Sequence, residues 1–197
     1  MRRFNQPGDI HFVTFKTFQN RPIFKDEKCC ELFLKNCEFY RQKYDLKIYG
    51  YVILYDHVHQ LIRFDMAKFP KLTISKVMHG IKGRSAQLIS KYIFSQLGSR
   101  SFYASAGHNL RQGIKALPTR KKEGKYISTR DCLKIWQPGF YDFNIYTAKK
   151  FWEKLDYIHK NPIKHKLTQN IARYKYCSLR NYELNDHSIF KIDYLEF

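Results

Sequence analysis

The sequence predicts an α+β fold, and three observations carry that prediction. Short runs rich in β-branched and aromatic residues, such as Ile10-His11-Phe12-Val13-Thr14-Phe15, alternate with longer segments whose apolar residues recur at helical spacing. One of these runs folds back on itself through a two-residue break, Tyr55-Asp56, which reads as strand, tight turn, strand. At 197 residues and 44% hydrophobic content, the chain suits one domain with a sizeable core.

In order, the strand at Ile10–Phe15 is broken by Asn20-Arg21-Pro22. From Lys25 to Tyr44, Cys29, Leu32, Phe33, Cys37 and Tyr40 form an amphipathic helical stripe, with acid early (Asp26, Glu27) and base late (Arg41, Lys43). The paired strands over Gly50–Phe64 follow. A second helix is expected from Phe69-Pro70 to about Leu97, with a kink or break in its middle at Gly80 or Gly83. Residues 98–130 read as a basic insertion, with a short helix near His108–Leu117. Leu133–Gln137 is expected as a strand that Pro138-Gly139 turns into Phe140–Phe143. Thr147 caps a third helix through Lys160, with Ala148, Phe151, Trp152, Leu155, Ile158 and His159 as its stripe. Pro162 disfavours helical geometry at the residue before it, so Asn161 is expected to end that helix. Residues 163–197 are expected to form an extension packing on the core of a single domain spanning 1–197.

The charge balance narrows the function classes. Lys and Arg number 36 against 17 Asp and Glu, a net charge of +19, which points to a polyanion partner. No run has the apolar length of a membrane span, and the N-terminal residues lack a signal-peptide core, so nucleic acid in the cytoplasm is the expected setting. Five cysteines without a Cys-x-x-Cys read as reduced thiols rather than a disulfide frame or zinc knuckle. Candidate nucleic-acid contacts among the cations are Arg2, Arg3, Lys82, Arg84, Arg111, Lys115, Arg120 and Lys121.

Two features suggest chemistry. His57 and His59 lie two apart in a strand, so both imidazoles share one face. They could grip one divalent cation with positions left open for substrate, or be hydrogen-bonded strand histidines. Asp56 beside them could orient an imidazole or be an ordinary turn residue. A hundred residues later, Tyr157 falls off the apolar stripe of its helix, on the face shared with Lys150, Glu153 and Lys154, and Asn161 follows it at i+4.

The linked set of an apolar strand running into His57-Val58-His59, then Trp136-Gln137-Pro138-Gly139-Phe140-Tyr141-Asp142, then Tyr157-Ile158-His159-Lys160-Asn161-Pro162 resembles the REP-associated tyrosine transposases. These are HUH single-tyrosine transposases, of the insertion-sequence type that acts on single-stranded DNA. The resemblance runs from about Asp9 to Tyr182. It departs at Tyr55-Asp56 before the first His, at Phe143, and in the length of residues 98–130. It implies a ferredoxin-like β-α-β-β-α-β core with an antiparallel sheet, the His pair on a central strand, and the tyrosine on a following helix. It further implies Tyr157 as nucleophile and His57, His59 and Asn161 as ligands of Mg²⁺ or Mn²⁺. The expected activity is a single-strand endonuclease and strand transferase on single-stranded or hairpin DNA, as monomer or homodimer. The alternatives are a domesticated nucleic-acid-binding protein and a metal-dependent nuclease that uses water.

Overall fold

A computed structural model describes residues 9–98 and 134–195. Strand β1 (Ile10–Lys16) leads through two short 3₁₀ turns into helix α1 (Glu27–Tyr44), then β2 (Lys47–Ile53), β3 (His57–Arg63) and helix α2 (Ile74–Gly98). Beyond the undescribed segment come β4 (Tyr141–Ile145), α3 (Ala148–Lys164) and a short α4 (Leu179–Leu184). The sheet order is β2-β3-β1-β4 with each neighbouring pair antiparallel, the expected ferredoxin-like arrangement. The two inner strands, β1 and β3, are zipped over their full length from Ile10↔Arg63 to Lys16↔His57.

Side-chain alternation divides the sheet into two buried faces. Val13, Phe15, Tyr51, Val58 and Ile62 join Phe33 and Cys37 of α1 and Met78 and Ile81 of α2 in one core cluster. Trp136 closes that layer, its ring 4.9 Å from Phe15 and 5.8 Å from Phe33, and its indole N–H donates to Ser85 Oγ at 3.0 Å. On the other face, Phe12, Val52 and Leu61 pack against Phe151, Leu155 and Ile158 of α3. Burying each of these α3 side chains contributes roughly 1.5–3 kcal/mol, enough to hold the helix at a set height over the sheet.

The helix ends follow local chemistry. The Asp26 carboxylate accepts from Lys28 N–H to start α1, and Asp45 ends it in the left-handed region at φ 51°. Helix α2 starts at Ile74 rather than Phe69-Pro70, because the Thr73 hydroxyl accepts from Lys76 N–H at 3.2 Å while Phe69 and Leu72 close a turn ahead of it. Gly80 does not break α2. A Cβ there would stand 2.6 Å from the Tyr40 ring, so the glycine is where α1 and α2 approach.

Three expectations are corrected. Leu133–Gln137 does not form a strand in its described part: Trp136 makes a single bridge to Thr17, and Gln137 N–H donates to the Lys16 carbonyl at 2.9 Å. The edge strand is Tyr141–Ile145 instead. Nor does Asn161 end its helix. α3 runs through Pro162 to Lys164, with His165 N–H donating to the Asn161 carbonyl at 2.9 Å. Both Asn161 and Pro162 are buried, and tertiary packing outweighs the local bias against helical geometry before proline. Finally, the face that Tyr157 shares with Lys150, Glu153 and Lys154 is not turned wholly to solvent: the Tyr157 ring stays 39% exposed yet reaches the sheet at Phe12 and His59.

Residues after α3 return along β2. Ile53 N–H donates to the Tyr176 carbonyl at 3.0 Å and Ser178 N–H to the Tyr51 carbonyl at 2.9 Å, so this segment covers the outer edge of the sheet. Cys29, Cys30, Cys37 and Cys177 are all free and buried, and burial pushes the Cys37 thiol up to about 12. They pack rather than react. The short helix near His108–Leu117 and the basic segment 98–130 lie outside the described residues, apart from Gly98 at the end of α2.

Candidate active site

His57 and His59 open β3 and point to the α3 face, where the register sets Lys16 opposite His57 and Thr14 opposite His59. Both imidazoles are buried, at 6% and 3% exposure, and their ring centroids are 5.0 Å apart. Each Nδ1 is engaged: His57 with Asp56 Oδ1 at 2.6 Å and His59 with Thr14 Oγ1 at 2.7 Å. A carboxylate only accepts, so His57 carries its proton on Nδ1 and keeps a lone pair on Nε2. When His59 Nδ1–H donates to Thr14, its Nε2 is free in the same way.

Burial pushes the His59 imidazole down to about 3, aided by the neighbouring His57 and His165. For His57 burial also lowers the value, with Asp56 pulling the other way. Both rings are therefore neutral near pH 7, the form that ligates a metal.

Helix α3 brings the second half. The Tyr157 ring lies 5.3 Å from His59 and 5.8 Å from Phe12, both edge-to-face, and the residue stays 39% exposed. Asn161, one turn on, is buried, and its Nδ2 donates to the Tyr157 carbonyl at 2.7 Å. Two buried polar atoms here have no hydrogen-bond partner: His59 Nε2 and Asn161 Oδ1. A divalent cation would satisfy both, and two imidazoles with one amide oxygen are a donor set that Mg²⁺ or Mn²⁺ accepts. Among the described residues no group of three or more His, Cys, Asp or Glu is placed to hold a metal.

Thus His57, His59, Tyr157 and Asn161 gather between β3 and α3. Lys82 and Arg84 do not join them. They sit on α2, across the sheet from Tyr157, where Lys82 Nζ donates to the Gln137 and Gly139 carbonyls and the Arg84 guanidinium stacks 4.0 Å over Phe39. Arg2, Arg3, Arg111, Lys115, Arg120 and Lys121 lie outside the described residues.

The sequence reading missed several residues at the site. Thr14 is 45 positions from His59, and only the β1–β3 register joins them. His165, at the end of α3, brings its ring to 5.0 Å from His57. The Lys154 and Lys164 ammonium groups lie 5.9 and 5.6 Å from the Tyr157 ring centroid. Spacing could have found the lysines and the histidine: positions 154, 157, 161, 164 and 165 fall along one side of a helix.

The model of the IS200-like transposases matches residues 8–106, half of the chain, and the chain belongs to that family. Among solved structures it is similar to a REP-associated tyrosine transposase bound to a REP hairpin, with TM-score 0.63, 16% identity, and 100% of this chain and 93% of that one covered. A crystallised candidate transposase from Deinococcus radiodurans R1 is more distant, with TM-score 0.45, 13% identity, and 80% of this chain and 94% of that one covered. No curated protein matches. No described helix is long and apolar enough to cross a membrane.

Proposed function

We propose that this transposase cleaves and rejoins single-stranded DNA at hairpin-bearing ends through a 5′-phosphotyrosine on Tyr157. His57, His59 and the Asn161 amide oxygen would hold Mg²⁺ or Mn²⁺. The observation that carries this reading is the 5.3 Å contact between the rings of Tyr157 and His59, beside two unpaired buried atoms, His59 Nε2 and Asn161 Oδ1. Transfer without an external energy source needs the bond energy kept in a covalent link, which a tyrosine oxygen can provide. The bound cation would polarise the scissile phosphate. Asp56 and Thr14 hold the two imidazoles in place, and α3 sets the Tyr157 ring beside His59. A strand must thread between helix and sheet to reach Tyr157, which favours a flexible single strand over continuous duplex. The hairpin belongs to the similar solved structure and is carried to this chain as part of the proposal.

The test incubates labelled single-stranded hairpins with protein and Mn²⁺ and resolves them on a denaturing gel. Wild type should give a protein–DNA band and a fragment with a free 3′-hydroxyl. Tyr157→Phe should lose both while folding and binding persist. Cleavage retained by Tyr157→Phe would replace this reading with a water-using nuclease. Binding by wild type with no cleavage would leave a DNA-binding protein.

A further inference from the structure

We propose that Lys154 is a catalytic residue, its ammonium contacting the non-bridging oxygens of the scissile phosphate beside Tyr157, with Lys164 on the flanking phosphate. The proposal rests on the tyrosine reading above and adds the electrostatic partner that reading lacks. Lys154 Nζ lies 5.2 Å from the Phe12 ring, 5.1 Å from Phe143 and 5.9 Å from Tyr157. Phe12 and Phe143 face each other across β1 and β4. The ammonium is thus held over two paired strands and against the proposed nucleophile at once. Lys164 Nζ approaches the same tyrosine, at 5.6 Å from the ring centroid.

Other lysines of α3 behave differently. Lys150 pairs with Glu153 at 2.6 Å and Lys160 with Asp156 at 2.7 Å, ordinary ion pairs on the outer surface. Among the described residues neither Lys154 nor Lys164 has a carboxylate within ion-pair distance. Lys154 is also only partly exposed, while Lys160 is exposed. Three aromatic rings hold a partly exposed cation with no carboxylate within ion-pair distance, and such a charge is available to an anion entering the same space.

The reaction places an anion there. The Tyr157 oxygen bonds to phosphorus and gives its proton to solvent. The P–O3′ bond breaks, and the departing 3′-oxygen keeps the electron pair and takes a proton from water. Through the transition state the non-bridging oxygens carry the charge that a fixed ammonium stabilises.

Single-turnover cleavage of a hairpin with a single-stranded flank tests this, comparing wild type, Lys154→Met and Lys154→Arg with Mn²⁺. Lys154→Met keeps the apolar stem against Phe12 and Phe143. Removing one preorganised charge contact should slow cleavage on the order of 10²-fold, with DNA affinity changed far less, and Lys154→Arg should recover part of the rate. A methylphosphonate at the scissile position removes the charge that Lys154 meets, so the gap between wild type and Lys154→Met should narrow on that substrate. An equal gap on both substrates, or a wild-type rate for Lys154→Met, would overturn the proposal. Should Lys154→Met fail to fold, Lys154→Arg and wild type compared on the two substrates give the same reading, the arginine's deficit shrinking on methylphosphonate if the contact is to phosphate. Failure of the wild type itself to form an adduct would instead remove the tyrosine reading.

Discussion

The Asp56 carboxylate accepts a hydrogen bond from His57 Nδ1–H at 2.6 Å, and one strand over Thr14 Oγ1 meets His59 Nδ1 at 2.7 Å. Each imidazole is thereby held by a different neighbour, one from the turn and one from β1. Groups that orient a ligating histidine typically account for 10–100-fold in metal affinity. Asp56→Ala and Thr14→Val should each weaken Mn²⁺ binding by about that factor, while Thr14→Ser stays near wild type. Calorimetric titration of the free protein checks this, and unchanged affinity in both variants would argue against a metal between these rings.

His159 supplies a pH dependence of stability. It is buried on α3, and its Nε2 lies 3.0 Å from Ser178 Oγ, which also accepts the Tyr51 N–H at 3.0 Å. Burial pushes the imidazole down from 6.5 to about 4. Between those values the unfolded chain binds a proton that the folded chain refuses, so stability falls as pH drops from about 6.5 through about 4. The full effect is at most about 3 kcal/mol. Urea denaturation across that range should show a shallower acid loss for His159→Phe than for wild type.

Gly80→Ala should destabilise without harming the site. The added methyl meets the Tyr40 ring at 2.6–2.7 Å, and a buried ring end has little room to move. Overpacking of this kind costs about 1–3 kcal/mol. Because the contact lies between α1 and α2, across the sheet from Tyr157, cleavage per folded molecule should match wild type. A lower melting temperature with unchanged specific activity is the expected pair of readings.

Much of this architecture is written in local pattern. The β2–β3 hairpin, the stripe of α1 and the cap at Thr147 all depend on neighbours a few residues apart, and all are where spacing places them. The errors lie where distant parts meet. Nothing adjacent to Asn161 shows that burial carries α3 through Pro162, and Gly80 reads as a weakness until Tyr40 is seen against it. For the site, His57 and His59 share a face by strand geometry, and the distance of Tyr157 from its stripe's centre marks it as unusual. Which side that tyrosine turns to depends on where the sheet lies, so its spacing does not show that the ring reaches Phe12 and His59. Lys82 and Arg84 show what counting charge omits: composition gives an excess of cations but not that these two lie across the sheet from Tyr157, against Gln137 and Phe39.

The meeting of His59 and Tyr157 at 5.3 Å joins residues of the same polypeptide. If the groups proposed to act on one phosphate work as they sit here, all from one folded chain, then no lost part can be lent by another copy. A His57→Ala/His59→Ala protein mixed with a Tyr157→Phe protein should stay inactive at any ratio, whereas exchange of α3 between chains would restore about a quarter of the sites under random pairing. Restored cleavage in the mixture would show that the tyrosine crosses between subunits during the reaction. A silent mixture would mean that a cell carrying two differently broken copies has no working enzyme.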